Sequence, residues 1–351
     1  MKNILFILKR REDYNHNVHN TIGLSTGLYN SAKFVNDMFN SVNISSVLEV
    51  VIDNNDIDRV VTINNPTHVI IEALWVVPSK FAILSKLHPN VKWIIRLHSE
   101  LPFLASEGMA MDWIGDYADY PNIIIAANSP QMKKDIQTFL RISKNMTHKE
   151  IKEKVIYLPN YYPTQYNTKV FDKDKEYIDI SCFGATRQLK NHLVQAIAAI
   201  KFADKINKKL RFHINSDIFN PRDMAVLHNL EGLFEHLVDS GHQLIQHQWM
   251  PRNEFLKLCS TMDIGLQCSF SETFNIVSAD LVSRGVPILG SYEIPWSSKL
   301  FSTNFLKVDE IVDMLRLTYL FPTLNVKLNQ YKLTRYTTKT QKIWVNYFGG
   351  K

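Results

Sequence analysis

Residues 271–280 read Ser-Glu-Thr-Phe-Asn-Ile-Val-Ser-Ala-Asp, and the two carboxylates of Glu272 and Asp280 are separated there by seven residues. Strand-like runs at 263–268 and 286–290 flank this stretch. Glu272 is therefore expected on a loop that opens a helix, with Asp280 about two turns further on. Two turns rise ~11 Å, roughly the length of a sugar nucleotide's diphosphate with its flanking rings. The spacing predicts one carboxylate at a sugar and one at a ribose, with phosphate held at the helix N-terminus.

Strands and helices alternate along the whole chain, which is the pattern of parallel sheets joined by crossover helices. The predicted strands are 3–8, 46–52, 67–74, 91–97, 122–127, 154–158, 177–184, 210–214, 243–248, 263–268 and 286–290. The predicted helices are 25–40, 78–87, 103–118, 130–142, 191–205, 221–237, 252–261 and 275–284. We expect an α/β protein with two Rossmann-like, doubly wound domains that face each other across a cleft.

A Pro- and Tyr-rich segment at 158–163, followed by polar residues to about residue 176, interrupts the alternation and marks a linker. The predicted organisation has four parts: an N-terminal Rossmann-like domain at 1–160, a linker at 161–176, a C-terminal Rossmann-like domain at 177–320, and a C-terminal segment at 321–351.

The composition is that of an ordered globular protein, with 45% hydrophobic and 21% charged residues. We expect neither a transmembrane segment nor a signal peptide, because no apolar run is long enough. Cys182, Cys259 and Cys268 lack metal-ligand spacing and are expected to be buried free thiols in the cytoplasm. The net charge of +6 favours an anionic ligand.

The stretch at 271–280 resembles the Glu-x7-Glu motif of retaining GT-B glycosyltransferases of the GT4 type, which reads Ser-x-x-Glu-Gly-Phe-Gly-(x)4-Glu-Ala. The resemblance implies an acceptor domain at 1–160, a nucleotide-sugar-binding domain at 177–320, and a segment at 321–351 that packs back on the first domain. It also implies that Glu272 contacts the donor sugar, that the backbone at Thr273 and Phe274 completes a phosphate cradle, and that Asp280 binds the ribose hydroxyls. Asp280 replaces the motif's second Glu. Asn275 replaces its second Gly, which adds a side chain beside the donor and implies an altered choice of sugar, such as a pentose.

A second segment, Gly184-Ala-Thr-Arg-Gln-Leu-Lys-Asn-His192, lies between a predicted strand and a predicted helix. Arg187 and Lys190 place two cations at this crossover, where they can neutralise a diphosphate leaving group. The segment resembles the Gly-Arg-(x)n-Lys-Gly run that opens the second domain of GT4 enzymes, with Asn191 in place of the second Gly. The alternative is a solvated basic loop.

Three further segments resemble parts of GT4 enzymes. His98 ends a predicted strand and resembles the first-domain His of GT4 enzymes, which implies a hydrogen bond to the transferred sugar; a structural His is the alternative. Gly23, Ser25 and Gly27 lie on a glycine-bearing loop that implies contact with the donor phosphate or the acceptor. Met250 lies in a strand, Pro-turn and helix segment that implies a wall beside the nucleotide base; ordinary core packing is the alternative.

The acidic triplets at 56–58 and 172–174 match the Asp-x-Asp pattern of metal-dependent GT-A transferases, but neither follows a convincing buried strand. We therefore expect no catalytic metal and no cofactor. The expected donor substrate is a nucleotide-diphosphate sugar, UDP-linked, and the cations at its phosphates would take the place of the metal.

The acceptor substrate is predicted only from the overall likeness of two sequence blocks to known enzymes. The blocks at 72–78 and 96–103 resemble glycosyltransferases ascribed to tailed bacteriophages, and we expect a hydroxymethylated base of double-stranded DNA, modified in the host cytoplasm. Transfer to a cell-surface or capsular glycan, isomerisation of a nucleotide sugar, and a catalytically inactive binding module stay open. The oligomeric state is not predicted.

Overall fold

The computed structural model describes residues 2–10, 27–216 and 221–349. The chain divides into two compact units. Unit 1 comprises Met1–Pro163 and Thr337–Lys351, and unit 2 comprises Thr164–Tyr336.

Unit 1 is built on a parallel sheet with the strand order β2-β1-β3-β4-β5-β6. Its strands are β1 Asn3–Lys9, β2 Ser45–Val51, β3 His68–Glu72, β4 Lys92–Leu97, β5 Ile123–Ala127 and β6 Val155–Tyr157. β1, β3, β4 and β5 are nearly continuous apolar runs because helices cover both faces of the sheet. The order reverses between β1 and β3, so the carboxyl ends of β3 and β4 lie beside the switch point, where such sheets bind ligands.

The helices of unit 1 are α1 Gly27–Ser41, α2 Ile57–Asn64, α3 Phe81–Leu87, α4 Leu101–Leu104, α5 Ala110–Asp119, α6 Pro130–Lys144 and α7 His148–Lys154. On one sheet face an aromatic cluster of Phe81, Trp93 and Tyr117 fills the core. On the other face Phe39 packs edge-on against Trp344, which the last helix of the chain supplies.

Unit 2 repeats the plan with the strand order β12-β11-β10-β7-β8-β9, again parallel. The strands are β7 Tyr177–Ser181, β8 Lys209–Asn215, β9 Gln243–His247, β10 Ile264–Gln267, β11 Ile288–Ser291 and β12 Ser302–Thr303. The helices are α8 His192–Lys205, α9 Pro221–Glu235, α10 Arg252–Thr261, α11 Ile276–Ser283, α12 Val308–Leu320 and α13 Pro322–Phe348. The unit boundary falls inside α13.

The two faces of the unit 2 sheet differ in polarity. Ile178, Phe212 and Ile214 belong to an apolar cluster with α8, α9 and α12. Because side chains alternate along strands, Asp179 and His213 lie on the opposite, polar face. Gly265 has no side chain where α11 crosses β10; a Cβ there would lie 2.4 Å from Cδ1 of Leu281.

The predicted α/β class with two doubly wound, Rossmann-like domains is confirmed. All eleven predicted strands have a counterpart in the structure. The single helix predicted over 103–118 is wrong, because Ala105–Met109 form turns between α4 and α5. Helix α2 and the short polar helix α7 were not predicted, and neither were α12, α13 and the short strand β12.

Candidate functional site

The central feature of unit 2 is a charge cluster around Glu272, on the loop that follows β10. Oε1 of Glu272 accepts from Nζ of Lys190 at 2.6 Å and from Nδ2 of Asn275 at 2.9 Å. The Glu272 side chain is 8% exposed and that of Lys190 is 27% exposed. Three of the site residues predicted from sequence are therefore in direct contact.

Asn275 holds this loop in place. Its φ of +60° lies in the left-handed region, which asparagine tolerates better than most residues. Its Oδ1 accepts from the backbone N–H of Ser278 at 2.8 Å and so caps α11, while Nδ2 donates to Gln267 at 3.0 Å as well as to Glu272. The Asn275 side chain is thus buried in internal bonds that fix Glu272.

The basic segment after β7 reaches the same cluster by a sharp turn. Gly184 has a φ of +117°, and its N–H donates to Oδ1 of Asn215 at 3.0 Å. Arg187 and Lys190 are half-buried on the turn that leads into α8. Asn191, where GT4 enzymes have Gly, has a φ of +58° and donates to the carbonyls of Cys268 and Phe305.

Asp280 lies apart from this network and pairs with Arg252, the first residue of α10. Its Oδ2 and Oδ1 accept from the Arg252 guanidinium at 3.0 and 2.6 Å. The Asp280 side chain is 3% exposed and that of Arg252 is 20% exposed. The carboxylate expected at the ribose therefore already holds a bidentate cation.

The remaining predicted donor residues lie around these two pairs. Phe274 is buried against Trp296 and Tyr336, and its carbonyl accepts from Nε1 of Trp296 at 2.7 Å. Thr273, beside it, is half-buried, as is Met250 on the turn between β9 and α10.

In unit 1, His98 follows β4 and is held by a buried carboxylate. Nε2 of His98 hydrogen-bonds to Oε2 of Glu72 at the end of β3. Glu72 and Arg96 are completely buried, and Nη1 of Arg96 lies 3.1 Å from both Glu72 oxygens. β3 and β4 pair Glu72 with Arg96 in register, so adjacent strand ends bring the three side chains together.

The charges of this triad fix its protonation. Burial opposes ionisation of Glu72, but Arg96 and His98 outweigh it and keep the pKa of Glu72 below its usual value. Burial, together with Arg96, outweighs the attraction of Glu72 and lowers the pKa of His98. His98 is therefore a neutral imidazole at neutral pH whose Nε2–H donates to an ionised carboxylate.

Arg96 anchors the triad to the rest of unit 1. Its Nε donates to the carbonyl of Leu158 at 3.1 Å and Nη2 to Oδ1 of Asn160 at 2.6 Å. Its guanidinium lies 5.1 Å from the ring centroid of Trp344. Each guanidinium nitrogen of Arg96 thus donates a hydrogen bond, and these bonds hold Glu72 behind His98.

Other expectations fall outside these clusters. Gly23 and Ser25 lie outside the described residues, and Gly27 begins α1, where its carbonyl accepts from Oγ of Ser31 at 2.8 Å. Within residues 2–10, 27–216 and 221–349, no group of three His, Cys, Asp or Glu side chains could hold a metal ion. In the same ranges no helix is long and apolar enough to span a bilayer.

Sequence reasoning missed Arg252 and Glu72 as site residues. Arg252 could have been found from its position. A cation in the first turn of a helix is opposed by the helix dipole, so a nearby carboxylate is expected to stabilise it. Glu72 could also have been found, because it ends a Val-Ile-Ile strand and a buried carboxylate there needs a charged or hydrogen-bonding partner.

No family model matches the chain, and no curated protein matches it in sequence. Solved structures match it closely in fold. A trehalose-6-phosphate synthase is 12% identical with a TM-score of 0.70, over 99% of both chains. A UDP-forming alpha,alpha-trehalose-phosphate synthase of Burkholderia xenovorans is 9% identical with a TM-score of 0.67, over 99% of this chain and 98% of its own.

A third similar structure, described as trehalose-6-phosphate from E. coli bound with UDP-2-fluoro glucose, is 11% identical with a TM-score of 0.67, over 99% of both chains. At these identities the likeness concerns the fold alone. It shows that the chain has two Rossmann-like domains of the GT-B type.

Proposed function

We propose that this protein is a retaining glycosyltransferase that takes a sugar from a nucleotide-diphosphate donor, UDP-linked, and needs no metal. The Lys190–Glu272–Asn275 cluster carries the proposal. It places a cation and a carboxylate in contact at the carboxyl edge of a doubly wound sheet, where this class of fold binds its ligands. The similar structures support the donor, since they include UDP-forming synthases and one bound with UDP-2-fluoro glucose.

Lys190 and Arg187 bind the diphosphate in this proposal. The Lys190 ammonium has three N–H donors, and one of them is directed to Glu272, which leaves two for phosphate oxygens. As the bond between sugar and phosphate breaks, negative charge grows on the leaving group. Fixed cations beside it stabilise that charge and supply what a metal supplies in other transferases.

Glu272 orients the donor sugar. Its Oε1 is held by Lys190 and Asn275, so the carboxylate is positioned before the sugar arrives and its Oε2 faces a ligand hydroxyl. The acceptor oxygen then attacks on the face that the phosphate leaves, which retains the anomeric configuration. In this proposal Asp280 binds the ribose hydroxyls together with Arg252, its partner on α10.

In this proposal His98 hydrogen-bonds to the transferred sugar, as the resemblance to GT4 enzymes implies. Because Glu72 accepts the Nε2–H of His98, the neutral ring is held in one tautomer and one orientation. Glu72 and Arg96 do not touch substrate in this proposal; they hold the ring and its tautomer.

For the acceptor we keep the sequence-based proposal of a GT4-like, phage-encoded enzyme that modifies hydroxymethylated DNA bases. The net charge of +6 supports an anionic acceptor. The similar structures support a different anion, a phosphorylated sugar, because they are named trehalose-phosphate synthases. A cell-surface glycan and isomerisation of the donor without an acceptor are the remaining alternatives.

The test is incubation of the full chain with UDP-, GDP- and ADP-linked sugars and each acceptor class, followed by mass spectrometry. We expect UDP release with formation of a glycosylated product, and loss of both in Glu272→Gln. A matched control is Glu310→Gln, which removes an exposed carboxylate that pairs with Lys307. If no donor is consumed with any acceptor, the transferase proposal is wrong; if only phosphorylated sugars react, the DNA acceptor is wrong.

A further inference from the structure

A chain of buried amide side chains leads from the loop after β7 to Glu272. Nε2 of Gln267, the last residue of β10, donates to the carbonyl of Phe183 at 2.9 Å. Oε1 of Gln267 accepts from Nδ2 of Asn275 at 3.0 Å, and the same Nδ2 donates to Oε1 of Glu272 at 2.9 Å. Gln267 is 2% exposed and Asn275 is 6% exposed, so their amide groups are bonded within the protein. The motif resemblances assign no role to Gln267.

Backbone groups at both ends of this chain determine the direction of every hydrogen bond in it. The carbonyl of Phe183 can only accept, so the Gln267 group that faces it is the NH2 group, and the amide oxygen is on the other side. The backbone N–H of Ser278 can only donate, so it faces Oδ1 of Asn275, at 2.8 Å. The two N–H groups of Nδ2 then match its two acceptors, Gln267 and Glu272. The chain therefore requires an amide at both positions.

Gln267 occupies a strand that is otherwise apolar. Residues 264–266 of β10 are Ile-Gly-Leu, and all four residues of the strand are buried. A buried amide without a partner destabilises the folded state, so a glutamine there needs hydrogen bonds. Its bonds lead to the two loops that leave the neighbouring parallel strands β7 and β10 at one edge of the sheet. Gln267 thus ties the loop that leads to Lys190 to the loop that carries Glu272.

The turn that carries Lys190 has further anchors. Gln195 of α8 is completely buried; its Nε2 donates to the carbonyl of Lys190 at 2.7 Å, and its Oε1 accepts from the N–H of Cys268 at 2.7 Å. Asn191 adds a bond from Nδ2 to the carbonyl of Cys268 at 3.2 Å. These bonds hold the backbone at Lys190 to the end of β10. Replacing the Gln267 side chain is therefore expected to leave the Lys190 backbone in place.

We propose that Gln267 is a positioning residue of the transfer reaction, which sets the orientation of the Glu272 carboxylate through Asn275. The inference rests on the proposed function, in which Glu272 orients the donor sugar and Lys190 binds the diphosphate. With an apolar residue at position 267, one buried N–H of Asn275 loses its acceptor, and the loop has to move to find another. A displacement of about 1 Å can lower turnover on the order of 100-fold.

The test is a double-mutant cycle in turnover, with Gln267→Met and Glu272→Ala made singly and together in the full chain. Turnover is followed as release of UDP from the UDP-linked sugars and acceptors of the screen proposed for the function. We expect Gln267→Met alone to lower kcat about 10- to 100-fold and to change the affinity for UDP, measured by titration calorimetry, by less than about twofold. In the Glu272→Ala background the same substitution should change kcat by less than about threefold, because no carboxylate is left to orient.

Asn275→Gly breaks the same chain one bond further along and keeps the test valid if Gln267→Met does not fold. Glycine adopts the φ of +60° found at Asn275 without strain and replaces an N-cap asparagine at little cost, so α11 is expected to form. We expect the same fall in kcat, and the same loss of effect in the Glu272→Ala background. The matched control is Gln330→Met, which removes another amide-to-carbonyl hydrogen bond of unit 2, the one to Val282, and should leave kcat unchanged.

Three results would overturn this inference and leave the transferase proposal standing. The first is a fall in kcat in Gln267→Met and Asn275→Gly that is as large in the Glu272→Ala background as in wild type. The second is an unchanged kcat in both variants, and the third is a loss of UDP affinity that matches the fall in kcat. If wild type releases no UDP with any donor and acceptor, both the inference and the proposed function are wrong.

Discussion

The Arg252–Asp280 pair leads to a stability prediction that separates its structural role from its role in donor binding. Asp280→Asn keeps the side-chain size and one acceptor but removes the charge that binds both guanidinium nitrogens. Breaking a buried ion pair by removing one partner costs ~3–5 kcal/mol, and the Arg252 side chain is 20% exposed to water, which relieves part of that cost. We expect unit 2 to lose about 2–3 kcal/mol of unfolding free energy.

The assay is a double-mutant cycle of Asp280→Asn, Arg252→Met and the combined variant, followed by urea unfolding of the full chain. The double variant has no unpaired charge, so we expect a coupling energy of about 1.5–3 kcal/mol. For a domain of this size the single variants should lower Tm by about 4–12 °C. The exposed Lys307–Glu310 pair is the matched control, and its removal should leave the midpoint unchanged.

A coupling energy below about 0.5 kcal/mol would refute the reasoning, since the two side chains would then act independently. Measuring donor affinity in the same variants separates a role of Asp280 in donor binding from its role in the ion pair. If this carboxylate also binds the ribose, Asp280→Asn weakens UDP binding more than Arg252→Met does. Equal weakening by both variants would show that Asp280 acts only through Arg252.

Three more predictions concern single sites. Glu272→Gln, which loses its ion pair with Lys190, should lower turnover about 10²–10³-fold, and a change below tenfold would contradict the role of Glu272. Burial is the main cause that lowers the pKa of His68 to about 4 from 6.5, so stability should fall as the pH drops from 6.5 toward 4; His68→Gln should flatten this dependence in urea unfolding. Gly265→Ala should destabilise unit 2 by about 1–3 kcal/mol, because the new Cβ meets Leu281, and in thermal unfolding the same substitution should cost less when it is made in a Leu281→Ala background.

The strands were predictable because each is an apolar run bounded by turn residues, and parallel sheets covered on both faces need such runs. Helix α7 was not, since Ile151 is its only buried residue and leaves almost no periodicity to detect. The available sequence signal for its start was the capping box, in which the side chains of Thr147 and Glu150 each accept a hydrogen bond from the other's backbone N–H. Helix α13 also had a sequence signal for its start, because Pro322 occupies its first position.

The contact between Lys190 and Glu272 could be anticipated because both follow neighbouring strands of one sheet, whose carboxyl ends meet at one edge. The partner of Asp280 could not be anticipated, because it depends on how α10 and α11 pack. The sequence of neither helix determines that packing by itself. The same holds for the contacts of His213 with Asp179 and His247, which depend on the register of β7, β8 and β9.

The most direct test of the account is the affinity of the full chain for UDP, measured by titration calorimetry in wild type and in Lys190→Ala. We expect one saturable site per chain and at least about tenfold weaker binding in the variant, because a cation that contacts phosphate contributes that much to affinity. Wild-type protein that binds no UDP, or a variant that binds it with unchanged affinity, would contradict the assignment of this site.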